Sequence, residues 1–135
     1  MIHRAALRAS WAPIAVLVLH SVLGRVLGHE PYVDPLAHFS GGAAMAYFVR
    51  AACSVRGGAL GAPSALALDL LAFGLAATAA VLWEFGEFLL DVFYGTRIQL
   101  SVANTMRDMM LGMAGAVVCV TLGRLRSTFY ARRSR

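Results

Sequence analysis

Four apolar segments, each long enough to cross a lipid bilayer, constrain the fold of this chain more than any other feature. They cover about residues 10–28, 36–54, 65–92 and 104–123. A bilayer core of about 30 Å needs about 20 helical residues, so each segment qualifies. Hydrophobic residues make up 59% and charged residues 14% of the 135-residue chain, and a soluble domain of this size cannot bury so much apolar surface. The sequence predicts an all-α, integral membrane four-helix bundle, with residues 1–135 as one transmembrane domain.

The first apolar segment resembles a signal peptide, because Arg4 and Arg8 precede it. However, no A-x-A-like cleavage site follows, and Arg25 lies where such a site is expected. We therefore expect a retained first helix.

The positions of the arginines predict the orientation of the helices. With the N-terminus in the cytoplasm, three arginines lie on the outer side, namely Arg25, Arg97 and Arg107. The other nine lie on the inner side, and such an excess favours an N-in/C-in topology with an even number of crossings. No nucleic-acid recognition motif accompanies the arginines, so the expected partner is the lipid bilayer and not a nucleic acid. The nine inner arginines are Arg4, Arg8, Arg50, Arg56, Arg124, Arg126, Arg132, Arg133 and Arg135.

Three carboxylates lie on one face of the third predicted helix. Glu84, Glu87 and Asp91 stand at positions i, i+3 and i+7, which share a helical face. A charged side chain at the centre of a membrane costs about 2.5–3.5 kcal/mol on insertion scales. We therefore expect this face to point into the bundle, where the carboxylates can meet protons, cations or arginines.

Two further polar residues reach the same depth from the neighbouring helices. The apolar stretch 109–123 is too short to span alone, so the fourth crossing must include Arg107 and Asp108, with Asn104 or Thr105 as a predicted N-cap. His38 lies about one turn inside the start of the second helix. The antiparallel order of the helices then brings His38, Asp108 and the carboxylates of the third helix to one end of the bundle. Arg107 and Asp108 point about 100° apart on a helix, so we expect them to have separate roles.

Two other patterns are interpreted as structural. Asp69 lies near the inner end of the third helix, where we expect a solvated position. Runs of glycine and alanine on the second to fourth helices allow close helix packing.

The predicted outer polar cluster contains more acids than Arg25, Arg97 and Arg107 can balance. Protonation, exposure to water or a bound metal ion can relieve the excess. Carboxylates with one imidazole suit Mg²⁺, Mn²⁺ or Zn²⁺, although no specific motif such as H-E-x-x-H is present. The candidate pocket residues are His38, Glu84, Glu87, Asp91, Gln99 and Asp108, and the candidate metal ligands among them are His38, Glu84 and Asp108.

These residues carry a resemblance to known families. Trp83-Glu84, Glu87, Asp91, Gly95, Gln99, Asn104-Thr105 and Asp108-Met109 resemble the core motif of the YjdF-like bacterial inner-membrane proteins. More remotely, His38-Phe39 followed by a small-residue helix, a Glu-bearing helix and an Asp-bearing helix resembles the VanZ-like family, which is associated with tolerance of glycopeptide antibiotics. The resemblance covers about residues 34–118, and Asn104 stands where the first family suggests an acid. It implies a small multi-pass protein of the bacterial inner membrane, with shared polar positions at His38, Glu84, Glu87, Gln99 and Asp108, and no particular reaction.

Three functions are open at this point. The first is an outward-opening pocket that binds a cation or the headgroup of an envelope lipid or polyprenyl lipid. The second is a metal-dependent hydrolase or transferase acting on an envelope lipid. The third is proton-coupled transport, for which four short helices would require a homo-oligomer.

Overall fold

The computed structural model describes residues 2–27, 32–53, 61 and 63–133, which form five helices and contain no β-strand. Arg56 and Arg135 of the predicted inner side lie outside these residues. The fourth predicted helix ends at about residue 123, whereas the observed helix continues for ten more residues, to Arg133. The difference arises because helical hydrogen bonding does not require apolar side chains. The helices are α1 (Ile2–Ala9), α2 (Trp11–Leu27), α3 (Val33–Cys53), α4 (Ala65–Tyr94) and α5 (Val102–Arg133).

The short helix α1 was not predicted. Its end at Ala9 has a local cause in Pro13, which lacks an N–H and whose ring clashes with the carbonyl four residues earlier. Helical hydrogen bonding continues on both sides of this break, since the Ser10 N–H donates to the Ala6 carbonyl and the Ser10 carbonyl accepts from the Ile14 N–H. Helix α1 packs against α3 with Ala9 buried and with Arg4 and Arg8 exposed, so it is a short amphipathic helix at one end of the bundle.

A tight connection joins α4 to α5. Gly95 ends α4 in the left-handed conformation (φ 66°), and its N–H donates to the Asp91 carbonyl. The Ser101 hydroxyl accepts from the Asn104 N–H at 3.1 Å, so Ser101 is the N-cap of α5. The predicted N-cap at Asn104 or Thr105 was wrong, because the helix begins earlier and uses the side chain of Asn104 for another contact.

Helix α3 lies at the centre of the bundle and packs against all four other helices. Within the described part of the chain, three segments are long and apolar enough to cross a membrane: Arg4–Leu27, Ala65–Tyr94 and Val102–Ser127. Helix α3 has 21 residues, a length of about 31 Å, but it is less apolar than these segments. Its central position explains this, since neighbouring helices rather than lipid surround it.

Backbones approach most closely where α3 crosses α5. A Cβ atom added to Gly42 would lie 1.8 Å from the Gly112 carbonyl oxygen, and one added to Gly115 would lie 1.9 Å from the Phe39 carbonyl oxygen. Glycine is therefore required at both positions. The buried core beside this crossing consists of Ala46, Ala76 and Ala116.

Large apolar side chains point away from this small-residue core. Leu70, Leu82, Phe88 and Met110 are 53–65% exposed, whereas the largest fully buried side chains are Glu84 and Asp108. Small or ionisable residues inside and bulky apolar residues outside suit a bundle whose solvent is lipid. The chain is an all-α membrane bundle, as predicted.

Candidate metal centre

Five ionisable side chains from three helices converge at one end of the bundle. Asp34 and His38 come from the start of α3, Glu84 and Glu87 from the second half of α4, and Asp108 from the start of α5. We call these five residues the carboxylate cluster. Glu84 and Asp108 are 2% and 1% exposed, and His38 and Glu87 are each 9% exposed. The Asp34 side chain is 39% exposed, so residues from three separate parts of the sequence share one site that is buried except at Asp34.

Helical periodicity explains how each helix presents its polar groups. Glu84 and Glu87 are three residues apart on α4, and Asp34 and His38 are four residues apart on α3, so each pair shares a face. The loop after α4 adds Gln99, whose side-chain amide donates to the Glu84 backbone carbonyl at 2.9 Å and to Glu84 Oε2 at 3.2 Å. Gln99 thus lies beside the deepest carboxylate on α4.

The two fully buried acids differ in how they are compensated. Asp108 Oδ1 accepts from Arg107 Nε at 2.9 Å, and Asp108 Oδ2 accepts from the Asn104 side-chain amide. The expectation of separate roles for Arg107 and Asp108 was wrong, because the long arginine side chain turns back to its neighbour. Both oxygens of Asp108 are therefore occupied within α5 itself.

Glu84 has no such compensation. Gln99 occupies Oε2, whereas Oε1 is buried and has no hydrogen-bond partner. The imidazole of His38 lies beside it, with Nδ1 3.6 Å from Oε1, which is too long for a good hydrogen bond. An unpaired buried carboxylate oxygen is costly, and this atom distinguishes Glu84 from Asp108.

The imidazole of His38 lies between two carboxylates. Nε2 is 3.3 Å from Asp34 Oδ1, and Nδ1 is 3.6 Å from Glu84 Oε1. Two ligand atoms on one Zn²⁺, each bound at about 2.1 Å, lie about 3.0–3.4 Å apart. The 3.3 Å distance to Asp34 lies within this range and the 3.6 Å distance to Glu84 lies just above it, so spacing alone does not assign either nitrogen to an ion.

Among the described residues, two groups of three have ligand atoms within 4.8 Å of one another, and His38 belongs to both. One group is His38, Glu84 and Glu87, and the other is Asp34, His38 and Asp108. The predicted ligand set of His38, Glu84 and Asp108 is divided between these groups, because Glu84 faces one nitrogen of the imidazole and Asp34 faces the other. Whether any of them binds a metal stays a prediction.

Asp91, also predicted in the pocket, contacts the loop that follows α4. Its carboxylate accepts from the Thr96 hydroxyl at 2.5 Å, from the Ile98 N–H at 2.6 Å and from the Gln99 N–H at 2.9 Å. These bonds hold the loop that carries Gln99 to Glu84, so Asp91 supports the cluster from outside it.

Sequence reasoning gave no site role to Asp34 or His20. Asp34 Oδ1 lies 3.7 Å from His20 Nε2, and Asp34 Oδ2 lies 3.7 Å from Arg107 Nη2. The spacing of Asp34 and His38 at i and i+4 was a usable signal for Asp34. His20 had no comparable signal, because only the packing of α2 on α3 brings it near.

A second ionic cluster lies at the opposite end of the bundle. Asp69 is 6% exposed; it forms an ion pair with Arg50, and its Oδ2 lies 2.9 Å from Arg124 Nε. We call these three residues the Asp69 triad. The prediction of a solvated Asp69 was wrong, because the ends of α3 and α5 enclose it with arginines.

An apolar layer separates the two clusters. Asp69 and Glu84 are 15 residues apart on α4, which corresponds to about 22 Å. The sequence between them on α4 contains no ionisable residue, and Ala46, Ala76 and Ala116 fill the interior at this level. A continuous polar path, as the transport hypothesis requires, is therefore not favoured.

Comparisons with known proteins support the membrane assignment. A family model described as "Predicted membrane protein (DUF2238)" matches residues 7–128, and this is the YjdF family that the motif around Glu84 and Asp108 resembles. No curated protein and no solved structure matches the chain. The resemblance to the VanZ-like family stays a prediction. The match covers most of the chain, and the protein therefore belongs to the DUF2238 family of predicted membrane proteins.

Proposed function

We propose that this membrane protein binds one divalent cation in the carboxylate cluster, through His38 Nδ1, Glu84 and Glu87. The observation that carries the proposal is the buried Oε1 atom of Glu84, which has no hydrogen-bond partner and faces the imidazole of His38. A cation at this position would supply the partner that this carboxylate oxygen lacks.

Charge balance favours a divalent ion. Two ionised glutamates, one neutral imidazole and one divalent cation form an electrically neutral group. Neutrality is important here because an uncompensated charge in a low-dielectric interior costs several kcal/mol. A monovalent ion would leave the group negative, and the described cluster has only Arg107 as an added positive charge, which is already bonded to Asp108.

The hydrogen bonding favours this group over the one formed by Asp34, His38 and Asp108. Glu87 Oε1 accepts from Trp83 Nε1 at 2.8 Å and Glu84 Oε2 accepts from Gln99 at 3.2 Å, so each glutamate uses one oxygen, whereas Asp108 uses both. Asp108 already accepts from Arg107 and Asn104, so coordination there would cost existing bonds. A neutral imidazole has one acceptor nitrogen. If Nδ1 binds the ion, the Nε2–H faces Asp34 at 3.3 Å, which is the carboxylate–histidine–metal arrangement that orients many metal-binding histidines.

The ligand types narrow the choice of ion. One imidazole with two carboxylates suits Zn²⁺ or Mn²⁺ better than Mg²⁺, which prefers oxygen ligands and keeps much of its water. Three protein ligands also leave at least one coordination position for water or another ligand.

Elemental analysis of protein purified without chelators tests the proposal. The informative comparison is Glu84→Gln against Asp108→Asn, since both wild-type acids are fully buried at the same end of the bundle. We expect about one equivalent of metal in the wild type and in Asp108→Asn, and metal near background in Glu84→Gln. No metal in the wild type would refute the cation site. Loss of metal in Asp108→Asn but not in Glu84→Gln would instead assign the ion to Asp34, His38 and Asp108.

The alternative is a metal-dependent hydrolase or transferase acting on an envelope lipid. The specific observation in its favour is the three-ligand set, since catalytic metal sites keep an open position whereas structural sites are closed. Release of phosphate or of a headgroup from a lipid by metal-loaded wild type, and not by Glu84→Gln, would support the alternative.

We infer that the carboxylate cluster lies in the periplasm-facing half of a bacterial inner membrane. Support comes from the arginines, because Arg50 and Arg124 lie at the Asp69 end of the bundle and Arg107 lies at the other. Positive residues prefer the cytoplasmic side. Labelling of intact cells with a membrane-impermeant thiol reagent tests this orientation in the variants Arg8→Cys and Leu100→Cys. We expect labelling of Leu100→Cys alone, and labelling of Arg8→Cys alone would reverse the assigned orientation.

A further inference from the structure

A cavity of ≈ 240 Å³ lies between α2, α3 and α4, next to the carboxylate cluster. Its walls are mostly apolar and include Val16 and Leu17 of α2, Gly41 and Met45 of α3, and Ala79 of α4. Three polar or aromatic side chains also line it, namely His20, His38 and Trp83. His38 is therefore shared between the cavity and the proposed cation site.

The cavity exists because α2 does not pack along α4. Over their described residues, α2 packs on α1 and α3, and α3 in turn packs on α4. The rings of His20 and Trp83 meet across the gap, with centroids 6.3 Å apart. The two rings thus close the gap near the carboxylate cluster. Apolar side chains line the rest of the gap, toward the middle of the bundle.

The length of the cavity is about two thirds of the depth of one leaflet. Its lining on α2 runs from Pro13 to His20, and its lining on α4 runs from Ala76 to Trp83, which is about 10 Å on each helix. Half of a 30 Å bilayer core is about 15 Å, so the cavity covers most of the depth of one leaflet. Apolar cavities stay dry, and hydrocarbon chains are the apolar molecules that a bilayer supplies in abundance.

We propose that the cavity holds one hydrocarbon chain of a membrane lipid whose phosphate headgroup lies at the carboxylate cluster. The inference rests on the proposed cation site, because the open coordination position of the ion would take a phosphate oxygen. His20 and Arg107 lie within 4 Å of Asp34 at the same end, and the half-exposed Arg107 guanidinium adds a second group that attracts phosphate. Without the cation, the excess of carboxylates would repel the same headgroup.

Photolabelling in vesicles tests this inference. The probe is phosphatidylglycerol with a diazirine on one acyl chain, in phosphatidylcholine vesicles that contain the full-length protein loaded with its metal. The second probe is diacylglycerol with the same chain, which has no phosphate. The test variant is Gly41→Leu, where a new Cβ meets only Val16 Cγ1 at 3.9 Å and the longer side chain enters the cavity. Its matched control is Gly74→Leu on α4, which has open space around it.

We expect labelled residues on the cavity lining of α2 and α4 with the phosphatidylglycerol probe. Labelling should fall by about tenfold in Gly41→Leu, because leucine takes the space of the chain, and should not change in Gly74→Leu. Equal labelling of wild type and Gly41→Leu, equal labelling by the diacylglycerol probe, or cross-links to a second copy of the chain at the cavity would overturn the inference.

Metal content measured on the same samples separates the two proposals. Both leucine variants should keep the wild-type amount of metal, since neither replaces a residue of the carboxylate cluster. Metal in the wild type without cavity labelling would refute the lipid inference alone. No metal in the wild type would refute the cation site and, with it, the headgroup contact.

Discussion

Both ends of the bundle contain buried carboxylates, but the negative charge is compensated differently at each end. At one end, the buried Asp69 carboxylate contacts two arginines, Arg50 and Arg124. At the other, the four acids of the carboxylate cluster share one arginine, Arg107, and the buried Oε1 of Glu84 has no hydrogen-bond partner. About 22 Å of helix separates Asp69 from Glu84, so the two clusters do not contact each other.

The difference distinguishes a complete ionic cluster from an incomplete one. Both clusters bear the cost of removing charge from water, which is several kcal/mol per ion. The Asp69 triad offsets that cost with residues of its own chain, as a structural ion pair does. The carboxylate cluster has fewer positive charges than carboxylates among its described residues, and the proposed cation would supply the balance. Burial alone therefore does not identify a functional carboxylate, whereas burial without an arginine in contact distinguishes Glu84 from Asp69 among the described residues.

The largest effect that we predict is at the Asp69 triad. Asp69→Asn leaves Arg50 and Arg124 without a counter-charge, and we expect the free energy of unfolding to fall by about 3 kcal/mol. This is the low end of the range for breaking a buried pair, because Arg124 is 48% exposed and can turn to water. Thermal unfolding in detergent measures the loss, and metal content per folded molecule should not change. An Asp69→Asn protein as stable as wild type would contradict the structural role.

The next effect concerns the helix crossing between the clusters. Gly115→Ala places a Cβ 1.9 Å from the Phe39 carbonyl oxygen, so α3 and α5 must separate at a cost of about 2 kcal/mol. Gly74→Ala is the matched control, and it should be neutral or slightly stabilising, because nothing lies within 4 Å of its Cβ. Equal stability of the two variants would contradict the close crossing.

A smaller effect is expected at Asp34, which faces the nitrogen of His38 opposite to the proposed ion. Asp34→Asn should lower metal affinity by about 10–100-fold, which is typical of losing a partner that orients a metal-bound histidine. The number of ions bound at saturation should stay at one. Titration of the metal-free protein by calorimetry measures both quantities. Loss of all binding would instead make Asp34 a ligand and favour the group that contains Asp108.

The smallest effect should be at Asp91. Asp91→Asn replaces a carboxylate oxygen that accepts from backbone N–H groups with an amide, so hydrogen exchange should become faster at Ile98 and Gln99. Metal content should remain at the wild-type level, because Asp91 bonds to the loop and not to His38. Hydrogen exchange followed by mass spectrometry checks the local change, and loss of metal in this variant would return Asp91 to the pocket.

Much of this fold follows from sequence periodicity and from the cost of charge in lipid. Four apolar segments predict antiparallel crossings, and that order alone brings His38, Glu84 and Asp108 to one end. Small residues at Gly42 and Gly115 predict close packing, although their pairing with Gly112 and Phe39 depends on the helix crossing. Helix α1 was missed because it lies before the first apolar segment, where only the arginines Arg4 and Arg8 were interpreted.

Pairing of charges was the part that sequence did not predict. Asp69 appeared solvated because its partners, Arg50 and Arg124, are on other helices. Arg107 and Asp108 appeared separate because helical angles describe Cβ directions and not the reach of a long side chain. The division of the acids into an occupied Asp108 and an unpaired Glu84 depends on distances of a few tenths of an ångström, which no spacing in the sequence encodes.

The measurement that tests the central claim most directly is the melting temperature of wild type and Glu84→Gln, each with a chelator and with excess Zn²⁺ or Mn²⁺. The carboxylate cluster lacks positive charge, so removing one buried charge should make Glu84→Gln at least as stable as wild type in chelator. Added cation should raise the melting temperature of wild type, since a ligand that binds the folded state stabilises it, and should leave Glu84→Gln unchanged. A wild-type melting temperature that does not respond to either divalent ion would contradict the account.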